Sequence, residues 1–253
     1  MNITLLSFVK TKSNPEIVKP LSKTIWIVLF ALAMGYLESA VVVYLRQLYY
    51  PEGFNFPMKE MSRILAVTEL YREAATLIMI LAVSIVVAEK RLHRFAWFLV
   101  IFSVWDIAYY VFLKVLLDWP ASLLTTDILF LLPSIWTGPV IAPVINSLTM
   151  ILLAAVILNI KKGSIRIVRL SNLVWALLIV GSVIVLIAYM EDFASYASAY
   201  KQSHSTTGII RESNMLLLST QFIPRSFDWL LFFTGVGMHL AAILLIIIRK
   251  VKV

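Results

Sequence analysis

Long apolar runs dominate this chain, and in a bilayer they leave it few folds to choose from. No water is present in the hydrocarbon core, so each spanning segment must satisfy its own backbone N–H and C=O groups, and a helix does this alone. The runs fall at about residues 24–45, 64–88, 95–117, 172–190 and 227–248, with a further hydrophobic region over 122–160. Charged residues make up only 14% of the 253 positions, against about a quarter in a soluble domain. The expectation is an all-α polytopic transmembrane helix bundle.

The region over 122–160 is too long for one helix and is broken by Pro133, Pro139 and Pro143. It reads as a half-helix over about 122–132, a turn over 133–139, and then span four running to residue 160, which makes six spans. Pro120 and Ser122 fit a first helical turn, and Thr126 or Asp127 a second start. The half-helix is either re-entrant, where irregular backbone lines a cavity, or interfacial, lying on the outer surface.

Basic residues set the orientation. Fourteen of the 22 Lys and Arg side chains lie in the tail and in the segments around residues 90–94, 161–169 and 249–252. Six lie on the opposite side: Arg46, Lys59, Arg63, Lys201, Arg211 and Arg225. Both termini are therefore expected in the cytoplasm. Residues 1–23 read as a basic cytoplasmic tail, possessing at most a short interfacial segment over 3–9. Residues 24–253 read as one six-helix domain with an outer loop over 191–226. The formal charge of +8 follows from this loop asymmetry, so no nucleic-acid partner is implied. Cysteine is absent, which excludes thiolate metal sites. Of the three histidines only His239 falls in a span, so no haem held by two histidines of this chain is expected.

Five ionisable side chains interrupt the first three spans: Glu38, Glu69, Arg72, Glu73 and Asp106. Each costs about 2.5–3.5 kcal/mol at the centre of an isolated transmembrane helix. Such groups persist where they face one another, water or a ligand. Glu69, Arg72, Glu73 and Thr76 follow the i, i+3, i+4, i+7 spacing of a single helical face. Ser103, Asp106, Tyr110 and Lys114 form a similar stripe with Tyr109, and Gly35, Glu38, Ser39 and Arg46 share a face of span one. The stripes lie in the outer half of the bilayer and imply that spans one to three converge.

Four acids against one arginine leave an excess of negative charge, or of protons, in the membrane. Glu69, Glu73, Asp106 and Glu38, with His239 from span six, are the candidate acid–base groups. Arg72 and Arg46 would hold an anionic group, and Tyr109, Tyr110 and Trp105 would line the binding space. Glu69 and Glu73 are one turn apart, but without the Glu-x-x-His pattern of di-iron bundles a metal site is not expected.

Gly35–Glu38 (Gly-Tyr-Leu-Glu), Arg72–Thr76 (Arg-Glu-Ala-Ala-Thr) and Trp105–Tyr110 (Trp-Asp-Ile-Ala-Tyr-Tyr) carry a resemblance that continues through residues 127–143. On these motifs the chain resembles uncharacterised bacterial multi-pass inner-membrane proteins over about half its length. The resemblance implies a cytoplasmic (inner) membrane of a bacterium or archaeon, and no particular activity. The order Glu69, Arg72, Glu73 differs from the paired glutamates followed by arginine of intramembrane CAAX-type proteases, whose later histidine motifs are also missing.

Three functions fit these residues. The first is a membrane-embedded enzyme acting on a lipid, an isoprenoid or a similar amphiphilic small molecule from the outer side. The second is a proton- or cation-coupled carrier, against which stands the lack of an internal repeat. The third is a non-catalytic subunit or assembly factor of a membrane complex. Membrane lipids are the expected surroundings, and both a homo-oligomer and a membrane-complex partner stay open.

Overall fold

The computed structural model describes residues 20–159, 170–205 and 218–251. Residues 1–19 of the tail with its 3–9 segment, the whole basic 161–169 loop, Arg211 and the last two residues lie outside the described residues. Six helices carry the fold: α1 (Pro20–Tyr49), α2 (Arg63–Val87), α3 (Arg91–Leu117), α4 (Ile141–Leu158), α5 (Asn172–Ser205) and α6 (Trp229–Val251). All six are long and apolar enough to cross a membrane, and the rest of the chain covers no more than 39% of any spanning window. Val86, Ile64 and Leu230 are each more than 80% exposed. Apolar surface on this scale belongs against lipid rather than water. The chain is a multi-pass membrane protein.

Helix α3 is the hub, packed against α1, α2 and α4, while α4 also touches α6 and α5 pairs closely with α6. Small residues set the tightest approaches, as helix contacts in a membrane favour. A Cβ added to Gly35 would stand 2.7 Å from that of Ala108 and 3.0 Å from the Trp105 carbonyl. One turn on, the buried Ser39 hydroxyl donates to the carbonyl of Tyr109 across the same α1–α3 contact. Gly181 and Gly235 oppose each other between α5 and α6, where a Cβ on Gly235 would meet the Gly181 carbonyl at 2.6 Å.

Helix ends follow local chemistry. Ser62 caps α2 by accepting the Leu65 N–H. Asp118 closes α3 in a left-handed turn, its N–H donating to the Lys114 carbonyl. Lys114 folds back onto the carbonyls of Asp118 and Pro120. This lysine therefore serves the helix terminus, where a cation is favoured, rather than the polar stripe of α3. Its ammonium holds the exposed Asp118 carboxyl below the usual range, by hydrogen bond and by charge.

The segment before α4 corrects the expected half-helix. Residues 122–137 form neither a re-entrant nor an interfacial helix; β1 (Thr126–Phe130) and β2 (Trp136–Pro139) pair as an antiparallel hairpin. Thr126 faces Pro139, Asp127 faces Gly138 and Ile128 faces Thr137, with a bulge before Phe130 pairs Trp136. β-branched and aromatic residues on both strands, with Pro133 in the connection, favour this pairing over a helical turn. Gly138 lies under the Phe227 ring, which a Cβ there would approach to 3.1 Å. Trp136 stacks on Tyr189 of α5 at 5.9 Å.

The expected outer loop over 191–226 also changes at its start, since α5 continues as helix to Ser205. Phe193, Tyr196, Ala197 and Tyr200 recur at helical spacing, and this stripe packs with Leu218, Phe222 and Ile135 into a separate cluster. Burial of that stripe gives the extension a reason to stay helical beyond the span.

Because Gly235 touches backbone and Gly237 has nothing within 4 Å of an added Cβ, the two form a matched pair. Gly235→Val is expected to destabilise the purified protein by about 3 kcal/mol through overpacking. Gly237→Val should stay within about 0.5 kcal/mol of the parent. Thermal unfolding in detergent checks both, and equal midpoints would remove the close α5–α6 approach as a source of stability.

Candidate functional site

The hairpin brings the polar stripes together. Leu131, just past β1, donates its backbone N–H to both carboxylate oxygens of Glu73, at 3.2 and 3.0 Å. Glu73 lies ten residues into α2, roughly 15 Å of helical rise from its start. The hairpin thus dips well into the bundle. Backbone at such depth needs a partner inside the protein, and Glu73 supplies it.

A cavity of about 150 Å³ lies between the hairpin and the first three helices. Helix α1 contributes Glu38 and Arg46 to its wall, and α2 contributes Glu69, Arg72 and Glu73. Trp105, Asp106, Tyr109 and Tyr110 line it from α3, and Asp127 from β1. Nine of the ten candidate residues thus meet around one space. The tenth, His239, does not: it lies between α6 and α5, where its Nε2 is 3.1 Å from the Ser182 hydroxyl and 3.3 Å from the Leu178 carbonyl. Gly181 makes room for the ring, since a Cβ there would stand 2.8 Å from the imidazole. Helical position along α6 places His239 at a suitable depth, but packing turns it toward α5.

The charges divide into paired and unpaired groups. Arg72 bridges two helices, its guanidinium bonded to Glu38 of α1 and, at 2.8 Å, to Glu69 of its own helix. α1 and α2 are not among the closely packed helix pairs. They meet at the far end, where the Lys23 ammonium bonds the Val87 carbonyl, and they are bridged by Arg72 toward the hairpin end. Arg46 stands 3.5 Å from Asp127. Its guanidinium lies over the rings of Trp119, at 3.8 Å, and Phe54, at 4.9 Å. It therefore ties together α1, the loop before α2, the turn after α3 and the hairpin.

Glu73 and Asp106 have no ion-pair partner among the described residues. Asp106 receives the Ser147 hydroxyl of α4 at 2.7 Å. Asp127, expected as a helix start in the outer segment, lies instead on β1 and is 2% exposed. Burial pushes its carboxyl up to about 6, against the opposing pull of Arg46, the Ile128 N–H and the Tyr110 hydroxyl. Its setting was the clue: a single acid within Thr-Thr-Asp-Ile-Leu-Phe, an otherwise uncharged strand-forming run. Two buried polar atoms of wall residues, Trp105 Nε1 and Asp127 Oδ2, have no partner.

Among the described residues no three His, Asp or Glu side chains converge as a metal site. The arrangement suits proton transfer by carboxyls beside phenols and an indole N–H. No family model matches the chain, and neither a curated protein nor a solved structure shows significant similarity to it. Its geometry alone must carry the functional reading.

If the Glu38–Arg72–Glu69 bridge holds α1 to α2, Arg72→Met strands the buried Glu69 and the partly buried Glu38 carboxylates and should cost about 3–5 kcal/mol. Replacing all three (Glu38→Gln, Glu69→Gln and Arg72→Met together) should restore most of that loss. Thermal unfolding in detergent measures the cycle; a triple variant no more stable than Arg72→Met would remove the ion network as the link.

Proposed function

We propose that this protein is a membrane-embedded enzyme acting on a lipid, an isoprenoid or a similar amphiphile. One observation carries the reading: a cavity at membrane depth whose wall holds two carboxyls, Glu73 and Asp106, outside any ion pair. A charge network with every member paired would leave no such carboxyls at the wall. In this reading Glu73 and Asp106 exchange protons with the substrate, and Glu69 and Glu38 set the field with Arg72. Tyr109, Tyr110 and Trp105 form the binding wall. His239 drops out of the catalytic set, because it faces α5 instead of the cavity.

The loop-charge asymmetry supports opening of the cavity toward the outer side, with both termini in the cytoplasm. ATP is absent there, which favours hydrolysis, isomerisation or transfer from a lipid-linked donor. The cavity wall ends near Trp105 and Asp106, midway along α3. That blind end favours an enzyme over a carrier, which needs a path to both faces.

A second reading, a non-catalytic subunit, draws on the scaffold duty of the same acids. Glu73 holds the hairpin, Asp106 holds α4, and Asp127 holds Arg46. Conservative substitutions separate the two. Glu73→Gln keeps an acceptor for the Leu131 N–H, and Asp106→Asn keeps one for Ser147, so both should fold. Mass spectrometry of host-membrane lipids and of molecules copurifying with the protein should show one amphiphile accumulating in these variants relative to the parent. Unchanged profiles in Glu69→Gln, Glu73→Gln and Asp106→Asn would sink the enzyme reading and leave the subunit.

A further inference from the structure

The charge of the ligand can be read from which wall groups the protein already uses. Arg72 spends its guanidinium on Glu38 and Glu69, and Arg46 is paired with Asp127 and lies over the rings of Trp119 and Phe54. The two cations marked in the sequence as anchors for an anionic head are both engaged by carboxylates of the chain itself. What is left at the wall is acceptor capacity. Glu73 and Asp106 lack a cation among the described residues. Five carboxyls face two guanidiniums around this space.

Aromatic faces complete the pattern. Trp105, Tyr109 and Tyr110 line the same cavity, and the two tyrosine rings meet edge to face at 4.9 Å. Rings of this kind attract organic cations through their negative faces. A cavity near 150 Å³ accepts a benzene-sized group, which fits a polar head and excludes a long tail. A bare metal ion is the weaker match, because no three ligating side chains converge among the described residues.

We infer that the cavity binds the ammonium head of an amphiphile, with the apolar tail leaving between α1 and α2. The tail route follows from the helix geometry: α1 and α2 do not pack closely, and Val42, Leu45 and Met58 supply apolar wall beside the gap. This inference rests on the cavity being a ligand site, as proposed above, but not on any reaction occurring there.

The test compares three probes with the same tail: octyltrimethylammonium, octyl phosphate and octanol. Each is titrated calorimetrically into the full-length protein in nanodiscs of uncharged lipid, with empty nanodiscs as the partition control. Octyltrimethylammonium should bind saturably, at least about tenfold tighter than octyl phosphate, which meets like charge in the wall. The Glu73→Gln, Asp106→Asn double variant should lose about tenfold in affinity for the ammonium probe and little for octanol. Phosphate binding as tight as ammonium, or no saturable ammonium binding, overturns the inference. Should the double variant fail to fold, the ranking on the parent protein decides the matter alone. Saturable ammonium binding with no lipid altered in the acid variants would sink the enzyme reading while leaving this one standing. An anionic or uncharged lipid found as the substrate would do the reverse.

Discussion

The bridge from Glu38 through Arg72 to Glu69 makes a cavity possible in a bundle that apolar packing would otherwise close. Helices in lipid gain from close approach and small residues, as Gly35 against Ala108 and Gly181 against Gly235 show. α1 and α2 forgo that approach. A guanidinium and a carboxylate reach across the gap, and losing one partner would strand the other in a poorly solvated place. The pair therefore does two things at once: it fixes the distance between two helices, and it makes the wall polar at the level of Glu38, below the apolar Val42 and Leu45.

The hairpin depends on the same groups. A two-stranded ribbon on its own is marginal in water and has unpaired edges that lipid cannot satisfy. Here β2 lies against α5 and α4. Beyond β1 the chain finds Glu73 for the Leu131 N–H, and Asp127 on β1 finds Arg46. Remove the acids, and the β1 side of the hairpin loses its anchors, leaving β2 alone to hold it against α5 and α4. Ion bridge, hairpin and cavity are one construction, built from residues that look like isolated defects when each span is taken by itself.

Much of this could be read from the sequence, because the rules involved are periodic. Spacing of three and four put Glu69, Arg72 and Glu73 on one face, and the equivalent stripes on α1 and α3 implied a shared space that the structure provides. What escaped had a different origin. The hairpin over residues 126–139 lay inside a hydrophobic region judged by span length, and length alone does not separate a buried strand from a buried helix. Asp127 escaped with it: at a helix start it would only cap a turn, but as a strand residue it borders the cavity. Depth along α6 could not say toward which neighbour His239 turns, since rotation about the helix axis is set by Gly181 and Gly235. The helical continuation of α5 was masked by its polar residues, although Phe193, Tyr196, Ala197 and Tyr200 kept the spacing.

Scaffold duty and chemistry need not exclude each other in these acids. A carboxylate offers about four acceptor positions. Glu73 receives a single N–H shared between its two oxygens, and Asp106 a single hydroxyl. Both side chains are held in place by these bonds, yet neither is saturated, and both border the cavity. Arg72 is the contrasting case, with two carboxylates bonded to one guanidinium. Fixing an acid with one bond while leaving its other acceptor positions free is how a site is preorganised. The bonds that hold the hairpin and α4 therefore leave Glu73 and Asp106 with free acceptor positions beside the cavity.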